Sequence, residues 1–219
     1  MAGRTGEVPG FEGFGDEAYE FYESLVADNS KTYWTAHRQV YDTAVREPMV
    51  TLLDALAPRF DATPVVFRPY RDVRFSADKS PYKTAQGAYL EVEHGLGYWV
   101  QVGADGVQLG GGFFPHDRDQ LARFRAAIDE DISGAELATV VARLEKAGFT
   151  RGGDTVRTRP RGVPADHPRL DLMRHQSLTV SRPVDDTDSN SARFAVTLAA
   201  DWKKITPLID WLRRYAPPS

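Results

Sequence analysis

Apolar side chains recur at helical spacing at both ends of the chain and at every second position in its middle. Residues 16–28 place Ala18, Phe21, Tyr22, Leu25 and Val26 on one stripe behind Asp16, which predicts an amphipathic helix with Asp16 as its N-cap. From Lys31 onward, Trp34, Arg38, Tyr41 and Val45 share a face. Pro48, suited to a first helical turn, opens a further helix carrying Leu52, Leu53 and Leu56. The chain is therefore expected to start with antiparallel helices.

The period then drops to two. In GAYLEVEH, Ala88, Leu90 and Val92 alternate with Tyr89, Glu91 and Glu93; in GYWVQV, Tyr98, Val100 and Val102 alternate with Trp99 and Gln101; GVQLGGGFF continues the pattern. His94-Gly95-Leu96 and Ala104-Asp105-Gly106 are turn segments that suit hairpins, so three meander strands follow, one face apolar and the other half polar. Helical spacing returns over Asp117 to Asp131 with Leu121, Phe124 and Ile128. It resumes at Ser133, where SGAE matches a capping box ahead of Leu137, Val140, Val141 and Leu144, with Gly148 placed to end the helix. RTRPRGVPADHP, residues 157–168, reads as a proline-interrupted basic loop, SLTVSR at 177–182 as a strand, and PVDDTDSNS as an acidic surface loop. Phe194, Leu198, Trp202, Ile205, Ile209 and Leu212 define a terminal helix bent near Pro207, since proline removes a helix hydrogen bond.

These elements predict an α+β fold in which a central antiparallel meander sheet is packed by helices from the N- and C-terminal segments. Residues 1–13, rich in glycine, are expected to be a flexible tail until Phe11 or Phe14 reaches the core, and residues 14–219 to form one domain. The chain has 219 residues, 42% hydrophobic and 26% charged, which suits one soluble domain with a real core. It contains no cysteine, so disulfides, thiolate metal sites and a cysteine nucleophile are excluded. Neither a signal-peptide core nor a membrane-length apolar run is present, and the expected location is the cytoplasm.

Charge singles out FRPYRDVRFSADKSPYK, residues 67–83. Five cations, Arg68, Arg71, Arg74, Lys79 and Lys83, face two aspartates, a local charge of +3 in a chain of formal charge −4. The acidic whole argues against general nucleic-acid binding, which rests on many phosphate contacts, yet it leaves room for a discrete anion site. In a helical turn the three arginines share a face; in a strand Arg68 and Arg74 point one way and Arg71 the other. Pro69 weakens a central-strand reading, while SADKSP reads as a turn in which Ser76 and Asp78 bond nearby amides and Pro81 disfavours helix at Ser80. Such a turn can aim Lys79 and Lys83 inward beside Tyr82, with Phe67, Tyr70 and Phe75 as aromatic walls. Equally, the arginines can pair with Glu91, Glu93 or the acid-rich helices, and the aromatics can be core.

YRDVRFSADKSPYKT followed by an alternating strand, the LGGGFF segment, PADHPRLDLMRHQSLTVSR and the terminal WKKITPLIDWL resemble, in this order from Phe14 to Leu212, domain-of-unknown-function family 2461 of bacteria and fungi. The resemblance implies a single α+β domain. The family has no established activity, so the resemblance brings no catalytic residues, and function has to come from the chemistry of the stretch.

Three readings stand side by side. In the first, Arg68, Arg71, Arg74, Lys79 and Lys83, joined by Arg182 from the later strand, bind a small carboxylate, phosphate or nucleotide, with Tyr82, Asp72 or His167 as candidate proton-transfer groups. In the second, the stretch is an exposed patch that holds an acidic protein partner or a nucleic-acid end. In the third, the signature is structural and every arginine has its own carboxylate or carbonyl. Arg182 either adds a cation to the pocket or sits at a solvated strand end. Asp166 is expected as an N-cap or turn residue before Pro168, and Gly110, Gly111 and Gly112 mark a bulge or a close backbone approach to a ligand or to a neighbouring element. His37, His94, His116, His167 and His175 contain no HExxH pair, no GxSxG element is present, and the sequence assigns neither a metal nor a cofactor.

Overall fold

An antiparallel sheet of six strands, in the order β1-β2-β3-β4-β6-β5, carries the fold, and helices from both ends of the chain make it α+β. In the computed structural model, residues 8–74, 77–115 and 117–218 are described, with Asp186 and Thr187 by backbone alone. Phe75, Ser76, His116 and residues 1–7 of the expected tail lie outside them. The elements are α1 (Gly15–Ala27), α2 (Lys31–Val40), a π turn (Tyr41–Arg46), α3 (Glu47–Leu56), a 3-10 turn (Ala57–Arg59), β1 (Thr63–Val66), β2 (Ala85–Glu93), β3 (Leu96–Gly103), β4 (Gly106–Phe113), α4 (Arg118–Asp129), α5 (Asp131–Lys146), β5 (Thr150–Gly152), α6 (Leu170–Met173), β6 (Leu178–Val184), α7 (Asp186–Ser189) and α8 (Phe194–Tyr215). No helix among the described residues is long and apolar enough to cross a membrane.

The described chain clusters into two compact units. One comprises Met1–Leu90, Trp99–Leu109 and Pro183–Ala200; the other comprises Glu91–Tyr98, Gly110–Arg182 and Asp201–Ser219. In the first, Phe11 and Phe14 are buried and stack with Phe194 at ring centroid separations of 6.2 and 5.9 Å, so the chain is held from Phe11 onward. Phe21, Tyr22, Trp34, Tyr41 and Val45 line the buried side of the helices, whereas Val26 and Arg38 face solvent. α2 does not stop at Pro48. It widens into the π turn just before the proline, where the helical ladder must accommodate a residue with no N–H, and continues as α3.

The second unit centres on Phe113, Phe124 and Trp211, with Tyr98 against Trp202 at 5.6 Å. Two glycines of β4 admit close neighbours: a Cβ at Gly111 would lie 2.8 Å from Ile205 Cγ2 of α8, and one at Gly112 would lie 2.2 Å from the Leu178 carbonyl oxygen of β6. Close approach of neighbouring elements is therefore the reason for Gly111 and Gly112, and Gly110 to Phe113 are all buried instead of leaving the half-polar face expected.

Several boundaries differ from the sequence pattern for local reasons. Asp16 is not the N-cap of α1, which begins one residue earlier; its carboxylate instead accepts a hydrogen bond from Asn190 at 2.9 Å. Ser133 is not an N-cap either. α5 starts at Asp131, and the Ser133 hydroxyl donates to the Ala127 carbonyl at the end of α4 at 2.6 Å. Gly148 does end α5, with φ +89° and its N–H on the Glu145 carbonyl. The short strands β1 and β5 were invisible to period counting, since TPVV and TRG are too brief to alternate. The expected acidic loop contains the helical turn α7, whose Ser189 carbonyl accepts the Phe14 N–H at 3.1 Å.

Candidate functional site

Residues 67–74 and 77–83 form two arms between β1 and β2. Tyr70 and Tyr82 face each other across an antiparallel bridge. The Arg71 N–H donates to the Pro81 carbonyl at 2.9 Å and the Lys83 N–H donates to the Pro69 carbonyl at 2.8 Å. Both prolines thus stand where only a carbonyl is needed, which is how this stretch tolerates two of them. The arm is also tied to the helices: Asn29 donates to the Tyr82 carbonyl and accepts from the Tyr82 N–H, each at 3.1 Å. The Tyr82 ring stacks on Trp34 at 4.3 Å with planes 8° apart. Behind it, buried Gln86 accepts from the Tyr41 hydroxyl at 2.6 Å and donates to the carbonyls of Phe67 at 2.9 Å and Gly87 at 2.7 Å.

Most of the cations at the tip have partners within the stretch itself. Arg74 grips Asp72 with its guanidinium fork, Nε to Oδ1 at 3.0 Å and Nη2 to Oδ2 at 2.7 Å. Arg71 pairs with Asp78, whose other oxygen accepts from the Ser80 N–H at 2.9 Å and hydroxyl at 2.6 Å; Lys79 donates to the Val73 carbonyl at 2.9 Å. The Arg74 hydrogen bond holds the Asp72 carboxyl below the usual carboxylate range, and the Ser80 hydroxyl does the same for Asp78. The partners are not Glu91 or Glu93: Glu91 meets His94 and Glu93 meets Arg213. Arg71, Arg74 and Lys79 therefore brace the loop.

Arg68 and Lys83 are arranged differently. Neither makes an ion pair or hydrogen bond to a carboxylate among the described residues, although the charge of Arg68 is felt by Asp72. Lys83 is half-buried with its ammonium 5.3 Å from the Phe67 ring centre. Burial, and then the nearby charge of Arg68, pull the Lys83 ammonium below its ordinary pKa. The two like charges act on each other, and Asp72, the carboxylate that feels Arg68, is already gripped by Arg74; Phe67, under the Lys83 ammonium, and Tyr70 are 42% and 45% exposed.

The proton-transfer candidates have other duties. Burial pushes the Tyr82 phenol up, which keeps it protonated, and Asp72 is engaged by Arg74. His167 belongs to the other unit. Its side chain is 6% exposed, with Nδ1 accepting from the Arg169 N–H and Nε2 3.1 Å from Asp129, so it heads the α6 turn. Asp166 is a turn residue there and caps nothing. Arg182 also lies in that unit, where Nε donates to Asp201 at 2.8 Å and Lys204 reaches the same carboxylate at 2.8 Å. Asp201 is 1% exposed and was missed. Its signal was its place between Leu198 and Ile205, inside the apolar stripe of the terminal helix, where a carboxylate needs a cation. No group of three His, Asp or Glu side chains suited to a metal occurs among the described residues.

No curated protein matches the chain. The family model described as "Conserved hypothetical protein (DUF2461)" matches residues 17–211, an interval that includes the bridged arm and the glycine-lined contact of α8 with β4, and the chain belongs to that family.

Proposed function

We propose that this protein binds an anionic group, a carboxylate or phosphate, at the Arg68–Lys83 pair. The observation that carries the proposal is the contrast within one stretch: Arg71, Arg74 and Lys79 have internal partners, while Arg68 and Lys83 repel each other and neither has an ion pair of its own among the described residues, Asp72 near Arg68 being held by Arg74. An anion placed between them relieves that repulsion, and arginine adds a planar fork for oxyanions. Phe67 and Tyr70 offer flat apolar surface beside it, which suits a ligand with a planar body such as a nucleotide. In this proposal the protein works in the cytoplasm, among phosphorylated and carboxylate metabolites. The excess of acidic residues elsewhere keeps it from general nucleic-acid binding.

Calorimetric titration with inorganic phosphate, acetate and adenosine monophosphate tests the site. The native protein should bind at least one of them, and Arg68→Ala and Lys83→Met should each weaken binding about tenfold or more, as loss of a charge-assisted hydrogen bond does. Both side chains are at least partly solvent-exposed, so the variants should fold. Equal binding by native protein and both variants, or none by the native protein, overturns the proposal.

The exposure of Phe67 and Tyr70 favours a second reading, in which an acidic protein segment lies along the arm. A fluorescent Glu-rich peptide that binds while all three small anions fail would select it, provided Lys83→Met abolishes that binding.

A further inference from the structure

A second group of cations lies in the loop between β5 and α6. The base of the loop is closed by the Val156 N–H on the Arg174 carbonyl at 2.9 Å, the Gln176 N–H on the Asp154 carbonyl at 2.7 Å, and a bridge between Thr155 and His175. Its tip turns back at Pro160 to Val163, where the Val163 N–H meets the Pro160 carbonyl at 3.2 Å and Gly162 takes φ +86°. Between this loop and α4 lies an open cavity of about 600 Å³, within the size range of small-ligand sites. Arg159 and Arg161 reach it from the loop, Arg125 and Asp129 from α4, Met173 from the end of α6, and Gln176 from the segment joining α6 to β6.

The charge around this cavity is unbalanced. Three arginines line it against one carboxylate, and Asp129 is already engaged by His167 Nε2 at 3.1 Å. Arg125 is half-buried and fixed through Nε to the Met173 carbonyl at 3.3 Å, with no carboxylate among its described contacts; burial lowers its pKa. Arg159 and Arg161 likewise have no described carboxylate partner and are exposed. The negative end of α4 does not supply the missing charge, because Arg169 takes up the carbonyls of Ile128 at 2.7 Å and Asp129 at 2.9 Å. Val156, Val163 and Met173 add apolar lining.

We infer that the cavity between α4 and the 157–163 loop is a binding site for a small organic phosphomonoester, with Arg125, Arg159 and Arg161 on the phosphate and the apolar wall against the organic body. A phosphomonoester carries close to two negative charges at neutral pH and three acceptor oxygens, which matches three guanidinium forks better than a carboxylate does. This site is separate from the Arg68–Lys83 pair and does not depend on it.

The test is calorimetry of the full-length protein with phenyl phosphate, alongside phenol and inorganic phosphate. A saturable site for phenyl phosphate that persists in Arg68→Ala/Lys83→Met is expected, about fivefold or more tighter there than inorganic phosphate for one buried apolar ring, with no binding of phenol. Arg159→Ala/Arg161→Ala should weaken it about tenfold or more at an unchanged melting temperature, Arg125→Met should weaken it similarly, and Arg68→Ala/Lys83→Met should leave it intact. Absence of saturable binding, indifference to the Arg159/Arg161 pair, or loss in the Arg68/Lys83 variant overturns the site. Equal affinity for phenyl phosphate and inorganic phosphate overturns the assigned organic body.

Discussion

Replacing Gln86 with leucine removes the buried amide that holds the cationic arm to β2. Gln86 is buried and makes three hydrogen bonds: from the Tyr41 hydroxyl at 2.6 Å, to the Phe67 carbonyl at 2.9 Å and to the Gly87 carbonyl at 2.7 Å. Leucine keeps most of the volume but leaves a buried hydroxyl and the Phe67 carbonyl short of partners; the Gly87 carbonyl keeps the Phe67 N–H at 3.1 Å. At about 1–3 kcal/mol for each of the two orphaned groups, Gln86→Leu should cost about 2–6 kcal/mol. Tyr41→Phe alone strands only the amide oxygen and should cost about 1–2 kcal/mol. Burial pushes the Tyr41 phenol up to about 12, so it remains a donor at any assay pH near neutrality. The two changes should not add. In the Gln86→Leu background, Tyr41→Phe removes a hydroxyl that is already orphaned, so the double variant should be no less stable than Gln86→Leu and should regain about 1 kcal/mol. Urea unfolding of the four proteins reads the cycle directly. A double variant that is less stable than Gln86→Leu by the full cost of Tyr41→Phe would refute the reasoning, because it would mean the hydroxyl and the amide do not depend on each other.

Three further outcomes follow from single observations. Burial, aided by Arg151, holds His175 below the ordinary imidazole value against the opposing pull of the Ser177 carbonyl and Asp171, so it stays neutral in the fold while the unfolded chain takes up a proton near pH 6.5. Stability should therefore be complete above that pH and decline as pH falls through it, at up to about 1.4 kcal/mol per pH unit from this group, and His175→Gln should flatten the slope in urea melts between pH 5 and 8. Gly112→Ala should cost about 3 kcal/mol or more, since a Cβ would lie 2.2 Å from the Leu178 carbonyl oxygen at φ +147°, whereas Gly111→Ala, without positive φ, meets a side-chain methyl of Ile205 at 2.8 Å and should cost less. Asp201→Ala strands Arg182 and Lys204 over an empty buried position and should lower stability by about 2–4 kcal/mol, with most of the loss retained at 1 M salt because the carboxylate is shielded from solvent.

How much of this could be read from residues alone depends on the range of the forces involved. The β2–β4 meander was legible because each strand repeats its apolar residues over eight or nine positions and each turn carries a glycine with positive φ at 95 or 106. Gly148 was legible for the same local reason. Ser133 misled because a capping box is a local pattern, while the choice of cap was made by tertiary contact: its hydroxyl serves the Ala127 carbonyl and its own carbonyl accepts the Trp211 N–H at 2.9 Å. The cationic stretch was visible as an anomaly of charge, but its division into braced and unbraced cations was not. Arg71 and Asp78 lie seven residues apart and meet only because Pro69 and Pro81 set the register of the arm. Asn29, Trp34 and Gln86, which hold that arm, come from three other segments and carry no mark in sequence. The basic character of residues 157–168 was equally plain, while the cavity it shares with Arg125 depends on where α4 runs.

The most direct measurement is the titration of the Lys83 ammonium, followed by heteronuclear NMR in protein carrying labelled lysine, with and without phosphate or adenosine monophosphate. Without an anion, Lys83 should titrate below the other lysines, and Arg68→Ala should move it back toward them. Saturating anion should raise it in the native protein and have little effect in Arg68→Ala. A Lys83 curve that neither anion moves, in a protein whose other lysines titrate normally, would contradict the proposal that Arg68 and Lys83 form an anion site.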